Sequence, residues 1–90
     1  MELTIDSLKN ILFSKEDVFN NKEEWVRRKY NLNKALTLGN LYKRKVVIKF
    51  RTLEGYMKRI EASVWSLGEE YISIKGGQHI PIRSIEEVEF

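Results

Sequence analysis

Apolar and polar residues alternate along the second half of the chain, over residues 41–90. A period of two is typical of β-strands that bury one face, because successive side chains point to opposite sides of a strand. The alternating runs are separated by short glycine-containing turns, and they predict strands at residues 42–52, 56–67, 71–75 and 79–82. A last short strand is predicted after a tight turn at residues 83–85. So many short strands indicate a small, strongly bent antiparallel β-barrel of five strands.

The first part of the chain has a helical pattern instead. A capping-box signal at residues 14–17 opens a stretch without proline or glycine that lasts until Gly39. Apolar residues recur there at helical spacing in two adjacent stripes, one of Val18, Trp25, Leu32 and Leu36 and the other of Phe19, Val26 and Tyr30. We expect an amphipathic helix that ends near Gly39 and packs on the barrel.

The predicted fold class is therefore α+β, as a single domain over residues 1–90. Residues 1–38 form its helical N-terminal segment and residues 41–90 its small barrel. Pro81 lacks an amide donor and is expected at a sheet edge or strand end. Arg27 and Arg28 each follow a glutamate by four residues, which predicts a solvated helix face.

The composition excludes several kinds of chemistry. The chain of 90 residues has no cysteine, which rules out a disulfide framework, a thiolate nucleophile and a cysteine-based zinc site. The single histidine, His79, has no partner at metal-ligand spacing and is expected on a strand surface. We therefore expect no catalytic site, no metal and no cofactor. No apolar run reaches the roughly 18 residues of a membrane span, so no membrane partner is predicted and a cytoplasmic location is expected.

Charge is distributed unevenly along the chain. Residues 22–59 hold twelve of the sixteen lysines and arginines but only three acidic residues, whereas residues 60–90 hold two basic residues against six glutamates. A strongly basic segment favours a polyanionic partner, because phosphate neutralisation dominates affinity for nucleic acids. The alternative is that the basic and acidic segments neutralise each other within the fold.

The first long strand is the sharpest candidate for a binding surface. Alternation turns Lys45, Lys49 and Arg51 to its outer face, and the next strand is expected to add outward-facing residues from Arg59 to Trp65. Cations beside aromatic rings suit single-stranded nucleic acid, since the cations contact phosphates and the rings stack on bases. The predicted phosphate contacts are Lys43, Arg44, Lys45, Lys49, Arg51, Lys58 and Arg59, and the predicted stacking rings are Tyr56 and Trp65.

Each of these residues also has a purely structural interpretation. The helix has a wide apolar arc to bury, so the favoured position for Trp65 is beneath the helix, against Trp25 or Tyr30. The lysine-rich face would serve equally well as a solvated strand surface that prevents edge-to-edge aggregation.

The segment 75–85 resembles the closing hairpin and turn of Sm-like and Src-homology-type small barrels. Ile82-Arg83-Ser84 is similar to the Ile-Arg-Gly of the second Sm motif, with Ser84 in place of the glycine. A helix also precedes the barrel in Sm-like proteins. The resemblance covers residues 41–90 and implies a five-stranded barrel and RNA binding.

The sequence thus predicts a small non-enzymatic protein that binds nucleic acid, or acts in regulation with it, through a basic strand face. Its partner would be single-stranded RNA or DNA. The alternative is a protein-interaction module or homo-oligomeric adaptor that uses the barrel edge near residues 79–82 or the apolar helix face.

Overall fold

The computed structural model describes residues 2–3 and 5–90, with side chains from Leu8 onward. Its elements in chain order are β1 (Glu2–Leu3), a 3-10 segment (Ile5–Asn10), α1 (Lys22–Tyr42), β2 (Val46–Arg51), β3 (Met57–Ala62), β4 (Val64–Leu67), β5 (Tyr71–Ile74), β6 (His79–Pro81), a 3-10 turn (Ile82–Ser84) and β7 (Ile85–Glu89). The α+β class and the tight turn before the last strand are confirmed.

The strands form two sheets. The first has the order β1-β3-β2-β7, in which β1 runs parallel to β3 and the other pairs are antiparallel. The second is an antiparallel sheet with the order β4-β5-β6. Ser63 alone separates β3 from β4, so the single strand predicted over residues 56–67 is divided between the sheets. Pairing among the described residues does not close into the predicted five-stranded barrel.

The alternation on β2 did predict which face is buried. Val46, Ile48 and Phe50 are buried, and Ile48 lies opposite Ile60 of β3. The core between the sheets and the helix also contains Leu32, Ala35, Val64, Ile72, Ile74, Ile80 and Ile85. Pro81 ends β6, which is an edge strand of the second sheet, as its missing amide donor predicted.

The helix begins later than its capping-box signal predicted. Asn21 is the N-cap residue, and its side-chain oxygen accepts a hydrogen bond from the Glu24 amide at 2.9 Å. Ser14 and Asp17 form local turns instead, since Ser14 Oγ donates to the Glu16 carbonyl and Asp17 accepts from the Phe19 amide. Residues 11–21, between the 3-10 segment and α1, therefore form an irregular connection.

The helix also continues past Gly39, where the sequence predicted its end. A side-chain carbon on Gly39 would overlap the Val64 carbonyl oxygen and lie 3.1 Å from the Val64 amide nitrogen. The glycine therefore permits α1 to cross β4 at close range. The helix ends at Tyr42, and Lys43 takes the left-handed cap conformation while the Arg44 amide donates to the Leu38 carbonyl at 3.0 Å.

The buried face of α1 differs from the predicted apolar arc. Leu32 and Ala35 are buried as part of the core, but Trp25, Val26 and Tyr30 are exposed. The predicted arc assumed a helix that begins earlier than α1 and packs on a broader surface of the sheets. In the structure the sheets cover only a narrow stripe of α1, and these three side chains lie beside that stripe or on the opposite side of the helix.

Arg28 occupies a buried position on α1, contrary to the solvated face predicted for it. Its side chain is 8% exposed and forms a paired contact with Asp17, at 2.9 and 2.7 Å. It also donates to the Ile85 carbonyl at 3.2 Å and lies 5.1 Å from the centre of the Phe19 ring. Arg28 thus ties the irregular segment before α1 to the helix and to β7.

Candidate nucleic-acid interface

The outer face of β2 carries the predicted basic residues, but acidic residues of β7 lie directly beside them. The Lys49 ammonium donates to Glu87 at 3.1 Å and to Glu89 at 2.5 Å. The register explains both contacts, because Lys49 lies opposite Glu87 and Glu89 is the next residue on the same face of β7. The hydrogen bonds from Glu89 and Glu87 raise the pKa of Lys49, and Lys49 in turn lowers the pKa of Glu89.

Arg51 is paired in the same way. The register of β2 and β7 shifts between Lys49 and Phe50, which leaves Glu86 as the extra residue of a β-bulge. Glu86 accepts a hydrogen bond from Arg51 Nε, and the Gly55 carbonyl accepts one from Arg51 Nη1 at 2.8 Å. The hydrogen bond with Glu86 raises the pKa of Arg51.

The predicted basic face is consequently a mixed one. Arg59 lies opposite Lys49 on the exposed side, as predicted, but Lys58 lies on the other face of β3, opposite Phe50. Ser63 was predicted to point outward and is buried. Lys49 and Arg51 are paired with glutamates, which neutralise their positive charge and make them less available to a phosphate.

The remaining cations gather where the helix joins the first sheet. Lys43, Arg44 and Lys45 connect α1 to β2, and all three side chains are exposed. Among the described residues none of the three has an acidic group within ion-pair distance. We call these three residues the junction cluster. Lys43 has a left-handed conformation that ends α1, and the three residues fill the short connection before β2 begins at Val46.

A cleft opens beside the junction cluster. It has a volume of about 520 Å³, and its lining residues are Gly39, Asn40, Lys43, Ser63, Trp65 and Lys75. Three separate chain segments meet there, namely the last turn of α1, the start of β4 and the turn after β5. The Lys75 amide donates to the Ser63 carbonyl at 2.9 Å, which fixes that turn against β4.

Trp65 lies in this cleft, and its predicted position beneath the helix is wrong. Trp65 is 49% exposed, because Val64 turns into the core and Trp65 is the extra residue of a β-bulge between Val64 and Ser66. Neither Trp25 nor Tyr30 lines the cleft. The helix covers Val64 through Gly39 and leaves the indole beside it.

Tyr56 and Lys58 lie at the other end of the first sheet. Tyr56 is exposed and follows the turn after β2, with the Lys58 ammonium 5.9 Å from the centre of its ring. The six residues of β2 separate this end from the junction cluster by about 20 Å. The two predicted stacking rings therefore do not belong to one site.

Sequence reasoning missed two residues of the cleft, Asn40 and Lys75. The signal for Lys75 was present, since a β4–β5 hairpin that pairs Val64 with Ile74 brings Lys75 next to Ser63. Asn40 gave no signal, because the helix was predicted to end before it.

Other site chemistry is sparse in the part of the chain that the structure describes. No three His, Cys, Asp or Glu side chains there are placed to hold a metal ion. His79 is exposed on β6, with its ring edge-on to Tyr71 at 6.4 Å between ring centres. None of the helices described is long and apolar enough to cross a membrane.

Comparisons of this chain with protein-family models, with curated proteins and with solved structures give no match.

Proposed function

We propose that this protein binds nucleic acid without catalysing a reaction, and that the junction cluster is its main contact with phosphates. The observation that carries the proposal is the presence of three adjacent, exposed cations that have no acidic partner among the described residues, beside a half-exposed tryptophan. The acidic residues that neutralise β2 do not pair with this cluster. It is therefore the part of the basic segment best suited to a polyanion.

The proposal differs from the sequence-based hypothesis in the position of the site. Lys43, Arg44 and Lys45 remain phosphate contacts, and Arg59 contributes to the surrounding positive field. The glutamates beside Lys49 and Arg51 would repel an approaching phosphate, so these two residues contribute less to binding than the junction cluster does. Lys58 lies too far from the cluster to act with it.

Fluorescence anisotropy with labelled single-stranded RNA and DNA tests the proposal. Binding should be micromolar or tighter at low salt and should weaken steeply as salt increases, because counterions are released from the phosphates. The double variant Lys43→Glu, Lys45→Glu should lower the affinity at least tenfold.

The matched control is the double variant Lys22→Glu, Arg27→Glu, which changes the net charge by the same amount. These two exposed residues lie in the first two turns of α1, about 32 Å and about 24 Å along the helix from Lys43. The control should change the affinity much less than the junction variant does. Equal losses from both would mean that net charge alone drives the binding, and no binding of the parent at low salt would refute the proposed function.

The resemblance to Sm-like barrels stays part of the proposal. The short break at Ser63, which passes the chain from one sheet to the other, supports it, as does the 3-10 turn before the last strand. A fold of this kind does not by itself fix the function.

One observation favours a second candidate function, self-association. Val26, Tyr30 and Leu41 are 58%, 69% and 71% exposed. At 100° per residue they fall within about 60° of one another, on the side of α1 opposite its buried stripe. Two copies related by a twofold axis would bury the same stripe on each other. Sedimentation at high salt should then show a dimer that Tyr30→Glu dissociates and Lys15→Glu, on the exposed connection before α1, does not.

A further inference from the structure

The cleft beside the junction cluster combines the groups that recognise a nucleotide. Trp65 supplies a flat ring with half of its surface in solvent, and Lys43 and Lys75 supply two ammonium groups. Asn40 adds an amide that can both donate and accept hydrogen bonds. The cleft volume of about 520 Å³ lies within the roughly 300–1,000 Å³ typical of small-ligand sites.

The backbone around the cleft supports a binding role. Lys43 has φ 55° and ψ 32°, a left-handed conformation that glycine or asparagine normally takes at a helix end. A lysine there raises the energy of the folded chain. Such strain is concentrated at functional sites, where the side chain has a use that offsets it.

Gly39 contributes backbone to the lining of the cleft. The Gly39 main chain lies directly against the main chain of Val64, the residue before Trp65. Any larger residue at this position would overlap the Val64 main chain, so the glycine is what allows the end of α1 to approach the start of β4, where the cleft forms.

We propose that the cleft holds one nucleotide of a single strand, with its base stacked on Trp65 and its phosphate between Lys43 and Lys75. This inference rests on the proposed nucleic-acid function and adds a preference for single strands. A paired base cannot stack on a side chain without leaving its duplex. Single strands should therefore bind more tightly than duplexes of equal length. Arg44 and Lys45, the other two residues of the junction cluster, then contact the phosphates next to the bound nucleotide.

The experiment uses Trp65 as its own probe. Trp25→Phe leaves Trp65 as the sole tryptophan, and its fluorescence is followed during titration with adenosine monophosphate, a single strand of about eight nucleotides and the matching duplex. The single strand should quench the indole and bind more tightly than the other two ligands. Equal affinity for the mononucleotide would assign the cleft to free nucleotides and overturn the single-strand inference, as would preference for the duplex.

Variants test the individual contacts. Trp65→Ala should lower single-strand affinity about 5- to 150-fold, because base stacking on an aromatic side chain contributes about 1–3 kcal/mol. Trp65→Phe should lose less, and Lys75→Gln should weaken binding and reduce the salt dependence by about one counterion. Tyr71→Ala is the matched control, since Tyr71 is a half-exposed aromatic residue of the same sheet outside the cleft.

The outcomes separate this inference from the proposed function. If Trp65→Ala binds like the parent while the junction variant loses affinity, the nucleotide site is refuted and the phosphate contact stands. If the parent binds no oligonucleotide at low salt, both are refuted. Trp65 is half-exposed, so its variants should fold, and urea unfolding checks that they do.

Discussion

At the scale of single residues, Lys43 is where stability and the proposed function are in conflict. It is the one non-glycine residue with positive φ in the described part of the chain. Lys43→Gly should raise the free energy of unfolding by about 0.5–1 kcal/mol, because glycine adopts the left-handed conformation without strain. Two smaller effects oppose this gain, namely the loss of the lysine's attraction to the helix dipole and the greater conformational freedom of glycine in the unfolded chain. The same change should weaken nucleic-acid binding.

Urea unfolding and anisotropy on the same samples measure the two effects. Lys43→Arg is the control, since it retains both the charge and the strain and should resemble the parent in both assays. A more stable Lys43→Gly protein with unchanged affinity would show that the lysine does not contact the nucleic acid.

Asp17 and Arg28 form the second residue-scale test. Arg28 is almost fully buried, so Asp17→Asn leaves a buried cation without its carboxylate and should lower the free energy of unfolding by about 2–3 kcal/mol. Glu16→Gln, on the neighbouring exposed residue, should change it by less than about 0.5 kcal/mol. A loss from Asp17→Asn as small as the control's would mean that the pair contributes little to stability.

The same pair predicts a pH dependence. Burial raises the pKa of Asp17, but the hydrogen bonds from Arg28 and the Phe19 amide outweigh it, so the pKa lies below its ordinary value. A carboxyl with a lowered pKa stabilises the fold above its unfolded pKa, and that contribution disappears as the pH falls through the folded value. Stability should therefore decline below about pH 4, with a smaller decline in Asp17→Asn, as urea midpoints between pH 2 and pH 7 would show. Equal declines in both proteins would contradict this assignment.

At the scale of elements, the crossing of α1 over β4 depends on Gly39. Gly39→Ala should improve helix propensity by about 1 kcal/mol, yet the added carbon meets the main chain of Val64, which cannot turn aside as a side chain would. We expect a net loss of about 2 kcal/mol in the free energy of unfolding. Thr37→Ala, an exposed position on the same helix, should change stability by less than about 0.5 kcal/mol. A stabilised Gly39→Ala protein would show that the helix shifts without cost.

The elements also show which predictions from sequence were reliable. The buried face of β2 was predicted because a period of two in Val46, Ile48 and Phe50 is a local property of the strand. The two ends of the helix were not predicted correctly, because the residues that mark a helix end can also serve tertiary contacts. Asp17 looks like a helix-capping residue until Arg28, eleven residues further on, takes its carboxylate. Gly39 looks like a helix end until Val64 is brought against it.

At the scale of the whole molecule, the charge pattern along the chain had two interpretations, a polyanionic partner and neutralisation within the fold, and the structure shows neutralisation on β2. Acidic β7 neutralises Lys49 and Arg51 on β2, whereas the junction cluster has no such partner among the described residues. Composition cannot distinguish these outcomes, because strand order decides which charges meet. The cleft was hidden from the sequence for the same reason, since Asn40, Trp65 and Lys75 come together only through the packing of α1 on the second sheet.

This division of charge predicts how acidic variants should behave. Glu87→Gln with Glu89→Gln releases Lys49 and makes the protein more basic. If the junction cluster is the main site, the released charge acts only through the long-range field. Affinity for a single strand should then rise a few-fold at low salt, and the gain should vanish near physiological salt, where screening reaches about 8 Å.

The control is Glu69→Gln with Glu70→Gln, on an exposed turn away from β2, which changes the net charge equally. It should give a similar, equally salt-sensitive gain. A rise of more than tenfold for the β7 variant alone, persisting at physiological salt, would instead place the main phosphate contacts on the face of Lys49 and Arg51. The glutamates of β7 would then compete with the phosphates for Lys49 and Arg51, and the cleft at Trp65 would be a secondary site.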